Sequence, residues 1–180
     1  MQQKGPVRPQ DLVMLHDMVQ RPEQRVYAFL NGGPDAGASQ EHRHFQFMTV
    51  PDLGRPIWPD AIFQKNPKTS DIQSHPTVNV AHFLLPILDS SKEALTKSWD
   101  RLWAAGKRAA QTEDEEMPYN FMMTKEYMML VPRQNNTWHE DVGIGGSFMA
   151  GVIPVEDPDL LGDVKEAGFL QIVRHVCFEV

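Results

Sequence analysis

The segment PQDLVMLHDMVQ (9–20) repeats its apolar residues at helical spacing and puts Leu12, Leu15, Met18 and Val19 on one predicted face. Pro9 and Asp11 suit the first turn, where a missing N–H costs nothing and a carboxylate meets the positive end of the helix dipole. The pattern then changes. Arg25-Val26-Tyr27-Ala28-Phe29-Leu30 is short and rich in β-formers, and predicts a strand that ends at the breaker cluster NGGPDAG. From about His42 to Val50 polar and apolar side chains alternate, which predicts a second strand running into Pro51. Prolines at 51, 56, 59, 67 and 76 predict a long irregular loop over 51–77.

Beyond the loop, TVNVAHFLLPIL (77–88) predicts a strand whose end is blurred by Pro86. Ser90 or Ser91 caps a predicted helix over SKEALTKSWDRLWAAGKRAAQ, and the acidic run Glu113 to Glu116 reads as a solvated linker. YNFMMTKEYMMLVPR (119–133) holds two apolar runs around Thr124-Lys125-Glu126 and predicts a hairpin. GSFMAGVIPV (146–155) predicts one more strand, followed by a last helical region from Asp157. This order of elements is α+β. With 180 residues it suits a single domain over 1–180, with a first part to about 112 and a second from about 117.

Composition narrows the setting. Mean hydropathy is −0.41, and no run approaches the roughly 18 to 20 apolar residues of a membrane span. MQQKGPVRPQ lacks the apolar segment of a secretory signal. The single cysteine, Cys177, cannot form an internal disulfide, and the expectation is a reducing, cytoplasmic setting. A formal charge of −7 and a pI near 5.4 argue against nucleic acid as a partner, so an anionic substrate must be met by local donors.

Those donors are concentrated in NGGPDAGASQEHRHFQF (31–47). On a strand, His42, His44 and Gln46 look the same way while Phe45 and Phe47 look toward a core. Upstream, Gly32, Gly33, Gly37 and Ala38 let backbone N–H groups approach an anion, and Ser39 and Gln40 add further donors. A cradle beside a row of imidazoles is what attack on a phosphate requires, because a neutral imidazole is a nucleophile at pH 7. Taken singly, histidines are mostly ordinary surface or satisfied residues, and His16, His75, His139 and His175 are read that way. His-x-His on a strand is also a metal clamp. Cupin-type barrels complete that clamp with a nearby glutamate, but here the residues after His44 are Phe45 to Thr49 and the first acid is Asp52. The ligand set is incomplete, and no metal site is assigned. The apolar hairpin positions Phe121, Met122, Met123, Met128, Met129 and Leu130 suit core packing, or else a lipophilic ligand.

His42-Arg43-His44-Phe45-Gln46 resembles the histidine-triad superfamily in its nucleotidyltransferase branch, the diadenosine tetraphosphate (Ap4A) phosphorylases or ATP adenylyltransferases, where glutamine takes the third position. Asn31, Gly33-Pro34 and Gly37-Ala38-Ser39-Gln40 look like their loop. Tyr119-Asn120, Thr124, Val131-Pro132-Arg133 and Gly168-Phe169-Leu170 look like their C-terminal region. The resemblance implies an antiparallel histidine-triad-like sheet with packed helices, and transfer of a nucleotidyl group from a dinucleoside polyphosphate. His44 would attack the α-phosphate, Gln46 would hold the phosphoryl oxygens, and His42 would orient the site or assist the leaving group. Asn31 would meet the nucleotide, Gly37, Ala38, Ser39 and Gln40 would hold phosphates, and Ser147 would be a further contact. No cofactor is implied, with Mg²⁺ at most accompanying the nucleotide.

Two departures stand out. Members of the family are nearly twice as long, so the chain reads as N-terminally truncated, with a sheet edge that a homodimer would complete. Val152 and Glu156 stand where the family carries a methionine and a lysine, and a glutamate repels polyphosphate; Arg43 and Lys125 are the candidate compensating cations. Two alternatives therefore stay open. One is a truncated relative that binds nucleotide or a partner without turnover. The other is the same fold using His42 and His44 as acid and base on a non-nucleotide substrate.

Overall fold

A computed structural model describes residues 6–50, 52, 54, 56–139 and 142–180. Residues 1–5, where the sequence predicts no signal segment, and positions 51, 53 and 55 of the predicted loop lie outside the described residues.

Five strands form one antiparallel sheet: β1 (Val26–Gly32), β2 (Phe45–Thr49), β3 (Phe83–Pro86), β4 (Tyr119–Met123) and β5 (Tyr127–Pro132), in the order β2-β1-β4-β5-β3. Helices α1 (Pro9–Gln20) and α3 (Lys92–Ala109) cover one face. The other face is covered by α2 (Trp58–Phe63), a 3₁₀ turn at Gly146–Ala150 and α4 (Leu161–Val176). A small ribbon, β6 (Thr137–Trp138) with β7 (Val142–Gly143), stands beside the sheet.

The sheet is therefore apolar on both sides. In β1, Tyr27 and Phe29 enter one core while Ala28 and Leu30 enter the other. The β4–β5 hairpin divides in the same way, with Met122, Met129 and Val131 on one side and Phe121, Met123, Met128 and Leu130 on the other. All six hairpin positions that suited either core or a lipophilic ligand are fully buried, so they are core. Burial on both faces explains the unbroken apolar runs of the hairpin. On the α3 side, Trp99 stacks on Trp103 and meets Phe121 edge-on at 5.1 Å.

Several expectations hold. The helix over 9–20, the strand from Arg25, the hairpin and the long helix are present, with Ser91 Oγ accepting the N–H of Ala94 as the cap of α3. Others need correction. Met18 is 40 % exposed, and His16 takes the inward place beside Leu12, Leu15 and Val19. The 51–77 loop contains α2, which starts at Trp58-Pro59, a proline in a first helical turn. Only Phe83–Pro86 of the 77–88 segment joins the sheet, while Val80 and Ala81 bond the chain's end at Glu179 and Phe178. The 146–155 segment is a 3₁₀ turn closed by Gly151 in the left-handed region, not a strand. The acidic run is not wholly solvated either, because Glu115 accepts from Trp103 Nε1 and from Lys107.

Strand β2 differs most. It begins at Phe45, so His42 and His44 lie on the approach to the strand and only Gln46 lies within it. Phe45 is half-buried, but Phe47 is 38 % exposed instead of entering the core. The reason is position: β2 is the sheet's edge, paired with β1 on one side and with no strand on the other among the described residues.

Candidate active site

The loop that follows β1 is held by a chain of buried amides. Gly33 precedes a 3₁₀ turn at Pro34–Ala36, and Gly37 closes it with φ +82°. A side chain at Gly37 would face strain twice over, because a Cβ there would also stand 3.0 Å from Gly145 Cα and from the Ile144 carbonyl oxygen. The loop is thus built to lie against the 144–146 backbone.

Asn31, at the end of β1, ties these two segments together. Its Nδ2 donates to the Gly37 carbonyl at 2.9 Å, and its Oδ1 accepts from Gly146 N–H at 2.8 Å and from Asn120 Nδ2 at 2.9 Å. Asn120 also donates to the Ala36 carbonyl at 2.9 Å and accepts from Arg133. Arg133 is wholly buried and forms no ion pair with a carboxylate among the described residues. It donates instead to the Val176, Asn135 and Ile144 carbonyls at 3.1, 2.6 and 2.9 Å, and its guanidinium lies 5.3 Å from the centre of the Phe148 ring. Burial pushes its pKa down from the ordinary arginine value. The amide of Asn31, expected at a nucleotide, is thus engaged in bracing the loop.

A second anchor fixes the approach to β2. Arg43 donates to Asp11 at 2.9 Å and to the Pro6 carbonyl at 2.9 Å. Asp11 also accepts from the side chain and the backbone of Arg8. Burial pushes the Asp11 carboxyl up, but the bonds from Arg8 and Arg43 outweigh it, and its pKa falls below the usual aspartate value. Arg43 is thus committed to α1, and His42 and His44 flank it in the chain. Both are exposed, with ring centres 6.0 Å apart. Gln46 follows, paired with Phe29 of β1.

Beside the loop opens a cleft of about 510 Å³. Gly37, Ala38 and Ser39 form one wall, and Asn136, Thr137, Ile144, Gly145, Val155 and Glu156 are among the residues of the others. Of the expected phosphate-binding residues, Gln40 is exposed and outside this lining, and His42, His44 and Gln46 are outside it as well. Ser147 is buried in the 3₁₀ turn, two residues past Gly145, and its carbonyl accepts the N–H of Val152. Neither candidate cation compensates for Glu156. Arg43 is paired with Asp11, and Lys125 stands in the β4–β5 turn, at the end of β1 away from Asn31, within 3.8 Å of Glu126. No group of three or more His, Cys, Asp or Glu side chains able to hold a metal ion occurs among the described residues.

The sequence pointed to the loop and the histidines but not to what holds them. Asn120 and Arg133 interrupt or end apolar runs, and a polar residue inside a two-sided apolar strand is the signal that marks them. His82 was overlooked. It is 1 % exposed, its Nε2 accepts the His75 N–H at 2.6 Å, and its Nδ1 faces the Val80 carbonyl at 2.7 Å. A carbonyl only accepts, so the ring is neutral with its proton on Nδ1.

The chain is similar to known proteins along most of its length. The profile of the Ap4A phosphorylase N-terminal domain matches residues 1–59, and that of the ATP adenylyltransferase C-terminal domain matches 76–179. Diadenosine 5′,5‴-P1,P4-tetraphosphate phosphorylase 2 of Saccharomyces cerevisiae is 27 % identical over 79 % of the chain and 49 % of its own length. Protein APA1 of the same yeast is 23 % identical over 91 % of the chain and 57 % of its own length. The chain thus spans about half the length of these relatives. Its fold matches the crystal structure of yeast Ap4A phosphorylase Apa2 in complex with AMP, with a TM-score of 0.85 at 24 % identity over 99 % of the chain and 66 % of that one. The same enzyme in complex with Ap4A gives a TM-score of 0.82 at 20 % identity. The α+β antiparallel fold expected from the resemblance is the fold observed.

Proposed function

The chain belongs to the ATP adenylyltransferase and Ap4A phosphorylase family, and we propose that it transfers a nucleotidyl group from a dinucleoside polyphosphate through a covalent intermediate on His44. The observation that carries this reading is the pair of exposed imidazoles, 6.0 Å apart, at the end of the small-residue loop whose Gly37, Ala38 and Ser39 line a cleft of nucleotide size. An imidazole nitrogen of His44 attacks the α-phosphorus of Ap4A. An N–P bond forms, the P–O bond to the rest of the substrate breaks, and ATP leaves. Inorganic phosphate then attacks the same phosphorus, the N–P bond breaks, and ADP is released. His42 orients the site or assists the leaving group, and Gln46 donates to the phosphoryl oxygens. The backbone N–H groups of Ser39 and Gln40, with the Ser39 and Ser147 side chains, receive phosphates, while those of Gly37 and Ala38 are taken by the Pro34 and Gly33 carbonyls and keep the loop in shape. Asn31 acts at one remove from the nucleotide by holding Gly37 against Gly146. No resident cofactor takes part, and Mg²⁺ enters only with the nucleotide.

The test is incubation with Ap4A, with and without phosphate, using His44→Ala as control. The readouts are the nucleotide products and the intact mass of the protein. Products that require phosphate, with a nucleotidyl adduct absent from His44→Ala, are expected. A folded protein that yields neither product nor adduct returns the site to the alternatives: a nucleotide-binding relative without turnover, or acid–base chemistry by His42 and His44 on another substrate.

A further inference from the structure

Among the described residues the cleft beside the loop has one charged side chain in its lining, and it has the wrong sign for phosphate. Gly37, Ala38 and Ser39 supply small residues and backbone on one side, and Glu156 supplies a carboxylate on another. No lysine, arginine or histidine lines the cleft among the described residues. Glu156 is exposed and has no hydrogen bond or ion pair among the described residues. Arg43 and Lys125 are committed elsewhere, so neither neutralises it. The remaining lining combines apolar surface from Pro154, Val155 and Leu160 with the polar side chains of Asn136 and Thr137, while Val142 and Ile144 are almost wholly buried. That is a mostly apolar pocket with a few orienting groups, the usual make-up of a site for a small organic moiety.

From this we infer that Glu156 fixes the specificity of the cleft: its carboxylate accepts the ribose hydroxyls of a nucleoside lodged there, and it turns away further phosphates. The inference rests on the nucleotide reading above. An acceptor-only carboxylate at neutral pH can pair with hydroxyl donors, as acidic residues that bind a ribose diol do, while a like-charged polyphosphate gains nothing from it. With the nucleoside against Glu156, its 5′-phosphate reaches toward the loop of Gly37 to Ser39, which runs on through Gln40 and Glu41 into His42 and His44. The cleft therefore selects the nucleoside end of a substrate and not the length of its phosphate chain.

Binding to the full chain separates this from the catalytic reading. The probes are 5′-AMP, 2′,3′-dideoxy-5′-AMP and inorganic tripolyphosphate, titrated calorimetrically without divalent cations. None carries a nucleotidyl group on a leaving polyphosphate, so turnover does not interfere. The wild-type chain is expected to prefer AMP over the dideoxy analogue by about tenfold or more, the scale of a hydrogen bond to a charged group. Glu156→Ala should lower this preference to about twofold or less by weakening AMP alone. Glu156→Lys should bind tripolyphosphate about tenfold more tightly than wild type. Because Glu156 is exposed and without a partner among the described residues, neither variant threatens the fold. An undiminished preference for AMP in Glu156→Ala overturns the inference, and so does tripolyphosphate binding in wild type as tight as in Glu156→Lys. A nucleotidyl adduct on His44 without any AMP preference leaves the catalytic reading standing and removes only the role of Glu156. Absence of both adduct and binding removes the two together.

Discussion

Arg133 shows how far a single side chain reaches. Its guanidinium gathers carbonyls from 135, 144 and 176 and the side-chain oxygen of Asn120, which passes the constraint to Asn31 and so to the loop. Replacing it with methionine takes the donor from the buried Asn120 side-chain oxygen and from the Ile144 carbonyl, while the Val176 carbonyl keeps the N–H of Gln134. The expected loss is about 3–5 kcal/mol of unfolding free energy in urea titrations. A loss below about 1 kcal/mol would show that water replaces the guanidinium, and that Arg133 is not the brace. His82 makes a second prediction. Burial, opposed by its bond to Val80, holds its pKa below the ordinary value of 6.5. Above that value the ring is neutral in both folded and unfolded chains. As pH falls below it the unfolded chain takes up a proton first, so stability drops by at most about 1.4 kcal/mol per pH unit from this residue. Unfolding measured at pH 7.5 and 5.5 should show that drop, and His82→Gln should flatten it. At this scale the sequence was partly legible. The histidine pair and the small-residue loop stand out by spacing, whereas the partners of Arg133 are carbonyls, which no residue pattern encodes.

Among the elements, those with strong periodicity were legible and those fixed by context were not. α3 and the β4–β5 hairpin carry caps, turn residues and long apolar runs, so local and tertiary preferences agree. α2 hides among prolines, and the 146–150 segment has an apolar run too short for its period to distinguish strand from turn. The approach to β2 depends on α1 through Arg43 and Asp11, whose side chains are 9 % and 8 % exposed. Arg43→Ala should therefore cost about 2–4 kcal/mol of stability. Beyond that, it should slow adduct formation on His44 by about tenfold or more, because the histidines lose the anchor that aims them. Single-turnover kinetics at a temperature where the variant is fully folded would read this. An unchanged rate would separate α1 from the site.

Across the whole molecule, the uncovered side of β2 matters most. Phe47 and Met48 are each 38 % exposed, no charged residue occurs from Phe45 to Thr49, and the strand's outer edge is unpaired among the described residues. Natural sheet edges are usually protected by charge, proline or a cover, and this strand carries no charge of its own. Light scattering of the full chain is expected to give a dimer, and Phe47→Lys is expected to give a monomer. A monodisperse wild-type monomer would count against edge pairing. The fold class was legible at this scale from element order alone. Which strand forms the edge was not, since β2 looks as amphipathic in sequence as a strand with a covered face.

The sheet also joins the two regions that match separate family profiles. β1 and β2 come from the stretch within 1–59, β3 to β5 from the stretch within 76–179, and the β1–β4 ladder from Ala28↔Met123 to Gly32↔Tyr119 is where they meet. The connection between them passes through exposed chain around Lys65 to Lys68. A nick there would cut the polypeptide without opening the sheet, since the fragments would stay joined by five residue pairs of the β1–β4 ladder and two shared cores. The protein is thus continuous in space where it is divisible in sequence, and its halves are candidates for complementation as separate polypeptides, neither complete without the other.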